Sequence, residues 1–249
     1  MNKCIGTYCL FLAILLVGLF VVDGKLFAQN SGVGSDNVNI VKVDKPAPDF
    51  TADAFHDGEF KKVSLSDYRG KWVLLHFYPR DFGIVCPTEL TALAAKYNIL
   101  KSLNVEVLSV SVNSVESHQE WQEKELKKMI EGGVKFPMLS DPDGSIGRLY
   151  NVYDEEGLVV MGKSIGKVDL KASFIIDPDG IVRAMDVLTP QAGRYINETI
   201  RRIKALQHNE ETGEVLPDGW VPGKTTLTPS DELEGNVWKE WNPTYSTLY

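Results

Sequence analysis

The stretch WVLLHFYPRDFGIVCPTELTALAAKYNIL, residues 72–100, decides the fold. It opens with a near-continuous apolar run, Trp72–Tyr78, of strand length. Such a run belongs in the buried middle of a sheet, covered on both faces. Pro79 ends it, and a short loop leads to Cys86-Pro87-Thr88-Glu89. Leu90, Leu93, Ala94, Tyr97 and Leu100 then recur at helical spacing. Pro87 suits a first helical turn, where its missing N–H is no loss, and Glu89 suits the positive end of the helix dipole. Strand, loop and helix together place Cys86 at a helix N-terminus. Unpaired N–H groups and the dipole there favour a thiolate, so a lowered thiol pKa is expected.

Working outward, KPAPDF (45–50) is held extended by its two prolines. Val105–Val112 alternates and is rich in valine, which reads as a strand. Residues 114–130 carry a sparse apolar stripe and read as a surface helix. SDPDG (140–144) and DPDG (177–180) are turns, and residues 145–150 form a short helix. Residues 173–176 and 181–187 make a hairpin around the second turn. Thr189 and Pro190 open a last helix through Leu206, with Ile196, Ile200, Ile203 and Leu206 as its stripe. Strands alternating with helices give an α/β sandwich around a mixed central sheet.

The N-terminus carries Lys3 and then an apolar run from Cys9 to Val22. That run is shorter than the about 20 residues a spanning helix needs, and it reads as a signal-peptide core. Residues 1–28 are therefore expected to be a signal peptide or, if uncut, an N-terminal anchor. Export to a periplasmic or other extracytoplasmic space follows. Residues 29–44 read as a linker, 45–207 as the domain, and 208–249 as an acidic C-terminal tail. Trp220, Trp238 and Trp241 suggest that the tail packs on the core or on a neighbouring subunit.

Net charge is −8, and no Lys/Arg run is present. Phosphate contacts need clustered positive charge, so a nucleic-acid partner is not expected. The cysteines are Cys4, Cys9 and Cys86, too few for a disulfide scaffold and without a Cys-x-x-Cys pair. Removal of the leader leaves Cys86 alone, and an isolated thiol in an exported chain must be tolerated, hidden or used. His56, His76, His118 and His208 show no metal-ligand spacing and read as surface or core histidines. The DPDG segments lack the further oxygen ligands of a calcium loop. Asn197-Glu198-Thr199 matches a glycosylation sequon but falls on the last helix.

FYPRDFGIVCPTEL (77–90) resembles the active-site loop of peroxiredoxins, which reads FYPxDFTFVCPTE in the typical two-cysteine group. The resemblance continues through APDF (47–50), SVNSVESHQEW (111–121), FPMLSDP (136–142), FIIDPDG (174–180) and GEVLPDGWVPG (213–223). It implies a thioredoxin-like α/β fold and a thiol-dependent peroxidase. Cys86 would be the peroxidatic nucleophile, oxidised by hydrogen peroxide or an alkyl hydroperoxide to a sulfenic acid. Pro79 would shield the site from water and Glu89 would hold the arginine network. Gly83, Val85 and Cys86 would meet the peroxide. No metal, flavin or haem cofactor is implied. A homodimer, or a ring of dimers, is the implied assembly.

The departures from the pattern matter as much. Gly83 stands where the family has a Thr or Ser whose hydroxyl bonds peroxide and thiolate. Lys171 replaces the active-site Arg before the FIID strand; it keeps the charge and loses the forked donor set. Arg194, in TPQAGR, is the second family arginine retained. Leu216 occupies the position of the resolving cysteine in the Val215-Leu216-Pro217 segment. Cys86 sulfenic acid would then need an external thiol, either a thioredoxin-like protein or a small thiol. A second reading takes the three replacements together as a scaffold kept for binding, chaperone-like or assembly roles.

Overall fold

The computed structural model describes residues 40–245. The expected leader, most of the linker, Cys4 and Cys9 lie outside the described residues. Ile40–Asp44, the end of that polar stretch, run along the domain: Val41 is buried, its N–H donating to Asn151 Oδ1 at 3.0 Å.

Seven strands form one mixed sheet in the order β2-β1-β5-β4-β3-β8-β9. The apolar run becomes β3 (Trp72–Phe77), buried at every position. It lies parallel to β4 (Val105–Ser111) and antiparallel to β8 (Lys171–Ile176), which pairs with β9 (Val182–Leu188). β5 (Met138–Ser140) extends the other side, followed by β1 (Thr51–His56) and β2 (Glu59–Ser64). The β1–β2 hairpin has no counterpart in the sequence reading. Its turn is Asp57-Gly58, both at positive φ, the backbone that matches the twist of a tight hairpin. β2 is an edge strand whose exposed Lys61 and Lys62 discourage pairing with another chain.

Residues alternate across β3. Val73, Leu75 and Phe77 join one core with Leu108, Phe174 and Ile176; Trp72 and Leu74 face the other with Val105 and Val107. α1 (Cys86–Ser102), α2 (Val115–Trp121) and α5 (Ile196–Thr212) cover the second core. α2 continues through a π-helical turn, Gln122–Leu126, into α3 (Lys127–Met129). Gln122 caps this bend by bonding both the carbonyl and the N–H of Val134. α4 (Ser145–Leu149) lies on the opposite face, with Ile146 and Tyr150 in the first core. A separate hairpin, β6 (Leu158–Val160) and β7 (Lys163–Gly166), stands off the main sheet.

The last helix starts later and runs further than its apolar stripe suggested. Residues 189–195 are not helical, because their backbone is taken up by the site described below; Gly213, at φ 72°, terminates the helix after Thr212. Both DPDG segments are turns. Asp141 accepts from Ser145 Oγ and the N–H groups of Ile146 and Gly147, which fixes the start of α4. In the tail, Trp220 is buried, with its ring 5.0 Å from that of His208, while Trp238 is exposed. Among the described residues no helix is long and apolar enough to cross a membrane.

Candidate active site

The loop from Pro79 to Val85 hangs between β3 and α1 and is pinned at Asp81. The Asp81 carboxylate accepts from Tyr78 Oη at 2.8 Å and Ser117 Oγ at 2.7 Å, and it pairs with His118 Nδ1 at 2.9 Å. Its own N–H donates to Asn113 Oδ1. His118 and Asp81 are buried, and the other His118 nitrogen reaches Leu139 O. Phe82 follows at φ 54°, a left-handed backbone a bulky residue rarely adopts, with its ring 6.0 Å from that of Trp121. The pinned loop delivers Cys86 as the first residue of α1, with Pro87 next.

One turn on, Glu89 gathers residues from two distant segments. Arg194, just before α5, grips its carboxylate with Nε at 3.0 Å and Nη2 at 3.1 Å, and the Arg194 N–H adds a third bond at 2.6 Å. Nη1 donates to Ala172 O and Ser173 Oγ. Lys171, the first residue of β8, sets Nζ 3.1 Å from Glu89 Oε2 and 3.1 Å from Ala192 O. All three side chains are buried. Burial alone would raise the Glu89 pKa, but the hydrogen bonds and charge of Arg194, then Lys171, outweigh it and hold the carboxyl below its usual value. The cluster carries two cations against one anion. Its surplus positive charge lies beneath Cys86.

Cys86 is 5% exposed and is the free cysteine among the described residues. It opens into a cavity of about 420 Å³ whose wall includes Pro79, Gly83, Val85 and Pro190. Here the expectation of a lowered thiol pKa is corrected. Burial pushes the thiol up, and it wins over Lys171, the Arg80 backbone N–H and Arg194, which all pull it down. At the start of α1 the N–H groups of Thr88 and Glu89 both donate to Val85 O, and Pro87 has none, so neither amide is left for the sulfur. A donor outside the helix, the Arg80 N–H, serves the sulfur instead.

Gly83 lies against the thiol. A Cβ built on it would stand 3.0 Å from Cys86 Sγ and 3.5 Å from Arg80 O. The structure brings Pro79, Gly83, Val85, Cys86, Glu89, Lys171 and Arg194 into one region. Lys171 and Arg194 stand behind the sulfur rather than in the cavity wall. Leu216 does not line the cavity; it sits half-buried in the tail beside the isolated Val215–Leu227 bridge.

Three parts of the site were not read from sequence. Asp81, His118, Ser117 and Asn113 fix the loop, and the conspicuous signal was their place in FYPRDF and SVNSVESHQEW. Ser173 orients Arg194 from β8. His76, on β3 opposite Ser173, is buried with Nε2 lacking a partner among the described residues. Its pKa lies well below the ordinary value through burial and the nearby charges of Arg194 and Lys171, so it is neutral.

Comparison with known proteins follows the same lines. Residues 43–185 match the AhpC/TSA family, and residues 205–241 match the C-terminal domain of 1-Cys peroxiredoxin. A selenocysteine-containing peroxiredoxin, PrxU, from Peptoclostridium acidaminophilum is 51% identical over 205 residues, covering 82% of this chain and 97% of the relative. Peroxiredoxin-2 of Cricetulus griseus is 42% identical over 189 residues, covering 76% of this chain and 90% of its own. The reduced 2-Cys peroxiredoxin of Plasmodium vivax superposes with a TM-score of 0.69 at 39% identity, covering 76% of this chain and 94% of that one. With its thioredoxin-like sheet and its cysteine at the mouth of α1, the chain belongs to the peroxiredoxins, the AhpC/TSA family of thiol-dependent peroxidases.

Proposed function

We propose that Cys86 is the peroxidatic nucleophile of a one-cysteine cycle. One observation carries this reading: the one thiol among the described residues is buried and opens into a cavity near two buried cations held by one carboxylate. The Cys86 thiol gives up its proton and the sulfur attacks the outer peroxide oxygen; an S–O bond forms, the O–O bond breaks, and the leaving oxygen takes up that proton to depart as water or an alcohol. Sulfur is oxidised to a sulfenic acid. Lys171 and Arg194 offset negative charge on the thiolate and the leaving oxygen. Arg194 spends four of its five N–H donors on protein acceptors, which fixes its guanidinium and holds its charge in place near the sulfur. Pro79 keeps bulk water from the sulfur, and Glu89 positions both cations.

No cysteine follows Cys86, and Leu216 stands at the resolving position. The sulfenic acid is therefore reduced by two equivalents of an external thiol, from a thioredoxin-like protein or a small molecule. The 1-Cys peroxiredoxin match over the tail supports this scheme. The apolar run at residues 9–22 supports export to an extracytoplasmic space, with the leader cut or kept as an anchor. Family membership and the Trp-containing tail support a homodimer or a ring of dimers.

The test is the oxidation product. With limiting peroxide, the chain without its leader should form a dimedone-reactive sulfenic acid and no disulfide to the tail on non-reducing gels. Leu216→Cys should gain an inter-subunit disulfide under the same oxidant. A covalent dimer that persists in Cys86→Ser would contradict the one-cysteine scheme.

A further inference from the structure

The β6–β7 hairpin hangs from a root that lies apart from the cavity. Three residues on each side pair there. Leu170 N–H donates to Val152 O at 2.7 Å, Tyr153 and Asp169 form an isolated bridge, and Asp154 N–H donates to Val168 O at 2.9 Å. Beyond the root the hairpin stands off the main sheet, and no residue of either strand is buried. Asp169, at the centre of the root, is 0% exposed, and both its carboxyl oxygens lack a partner among the described residues. Gly147 of α4 backs it so closely that a Cβ there would stand 1.9 Å from Asp169 Oδ1. A carboxylate buried without a donor is strongly disfavoured, because nothing replaces the water it gives up.

The charged groups around Asp169 are engaged elsewhere. Arg148 binds Glu155 and Asp143 O, with its guanidinium over the Tyr153 ring. Lys167 leans toward Glu155, and Lys171 holds Glu89. The Asp154 carboxylate accepts from the N–H groups of Glu156 and Gly157 in its own turn. Asp141 accepts from Ser145 Oγ and the N–H groups of Ile146 and Gly147, so it brings only repulsion. Burial, then the charge of Asp141, pushes the Asp169 pKa up to about 8 against a weaker pull from Arg148. The hairpin closes on a neutral acid.

We propose that Asp169 is a proton-operated lock on residues 152–170: protonated, it holds the hairpin closed beside Cys86, and ionised, it releases the root and opens Cys86 to partners of protein size. Val160, Met161, Lys163 and Ile165 of this segment stand in the wall of the Cys86 cavity, so its release changes access to the sulfur. The inference does not rest on the peroxidase reading, since any large reagent that meets Cys86 passes the same hairpin. The closed acid keeps its proton to about pH 8, whereas the open, solvated one releases it near pH 4. Closure is therefore fully held below about pH 4, weakens about tenfold per pH unit above it, and levels off above about pH 8.

The experiment uses the chain beginning at residue 29, in which Cys86 is the sole cysteine, beside Asp169→Asn and the apolar Asp169→Leu. Amide hydrogen exchange is followed by mass spectrometry at pH 5, 6 and 7 and corrected for base-catalysed exchange. Wild-type opening at the root amides, Asp154 and Leu170, should rise about tenfold per pH unit, and both variants should stay flat. These amides should also exchange about tenfold or more faster than those of β3 and β4, as a local opening requires. Cys86 is then alkylated at the same pH values with N-ethylmaleimide and with a maleimide carried on polyethylene glycol. Both reagents need the thiolate, so their ratio cancels its ionisation. The ratio of large to small should rise with pH in the wild type and stay constant in the variants. A flat wild-type slope would overturn the lock, and that series alone decides it if neither variant folds. Root amides no faster than those of β3 and β4 would also overturn it, because Asp169 would then titrate only when the whole domain unfolds. A constant alkylation ratio beside an opening root would overturn the link to Cys86.

Discussion

At the scale of single residues, the site trades a donor for space. Gly83 offers no hydroxyl beside the thiol, and the room there is narrow, 3.0 Å from a built Cβ to Sγ. Any side chain there crowds the sulfur, and only a hydroxyl returns a donor aimed at the developing charge. Gly83→Thr should therefore oxidise faster than Gly83→Ala, by about tenfold to a hundredfold, since one preorganised donor is worth about 10²–10³ in rate and the crowding takes back part of it. Equal peroxide rates in the two variants would show that the hydroxyl cannot reach the reacting atoms. The cations carry the other prediction. Burial raises the Cys86 pKa and Lys171 is the strongest opposing influence. Lys171→Met removes that charge and should move the midpoint of Cys86 alkylation with pH upward, because the thiolate is the reacting form. Lys171→Arg should stay close to the wild type. An unmoved midpoint in a folded Lys171→Met protein would show that the Lys171 charge does not reach the sulfur, which leaves the Arg80 N–H and Arg194 as the groups that oppose burial.

At the scale of elements, the hairpin that walls the cavity is rooted on a buried acid. The segment between α4 and β8 closes through Leu170 N–H to Val152 O at 2.7 Å and Asp154 N–H to Val168 O at 2.9 Å. Between them sits Asp169, fully buried, with both carboxyl oxygens lacking partners among the described residues. Burial, then the charge of Asp141, pushes its pKa up to about 8 against a weaker pull from Arg148. The folded state keeps a proton that the unfolded chain releases near pH 4. Stability from this group is full below about pH 4 and falls as pH rises toward about 8. Asp169→Asn abolishes the titration. Its melting temperature should fall less than the wild type's between pH 5 and pH 8, and thermal melts at those two values check it. Parallel pH profiles for the two proteins would mean that Asp169 finds a partner in solution.

At the scale of the molecule, legibility followed length and burial. β3, β4, β8 and α1 were visible because each carries an uninterrupted apolar or helical pattern. β2 was not, since its mostly exposed lysines and glutamate give no apolar alternation; β5, β6 and β7 are too short to show a period. The opening of α5 was misread because Thr189 and Pro190 signal a start, while Ala192 and Arg194 are spent on Lys171 and Glu89. Cys86 could be singled out from its strand–loop–helix setting alone. The meeting of Glu89, Lys171 and Arg194, up to 105 residues apart in the chain, could come only through the family resemblance. The direction of the thiol pKa could not be read at all, because burial is a property of the whole fold.

The most direct test mixes reduced chain beginning at residue 29, in which Cys86 is the sole cysteine, with a slight excess of hydrogen peroxide and follows Cys86 by rapid-mixing fluorescence and intact mass. A preorganised charged site should convert Cys86 to sulfenic acid about a hundredfold or more faster than a free thiol at the same pH, with no reaction in Cys86→Ser. A rate no faster than the free thiol would mean that the buried cations do not serve the sulfur, and that the peroxiredoxin scaffold here has outlived its reaction.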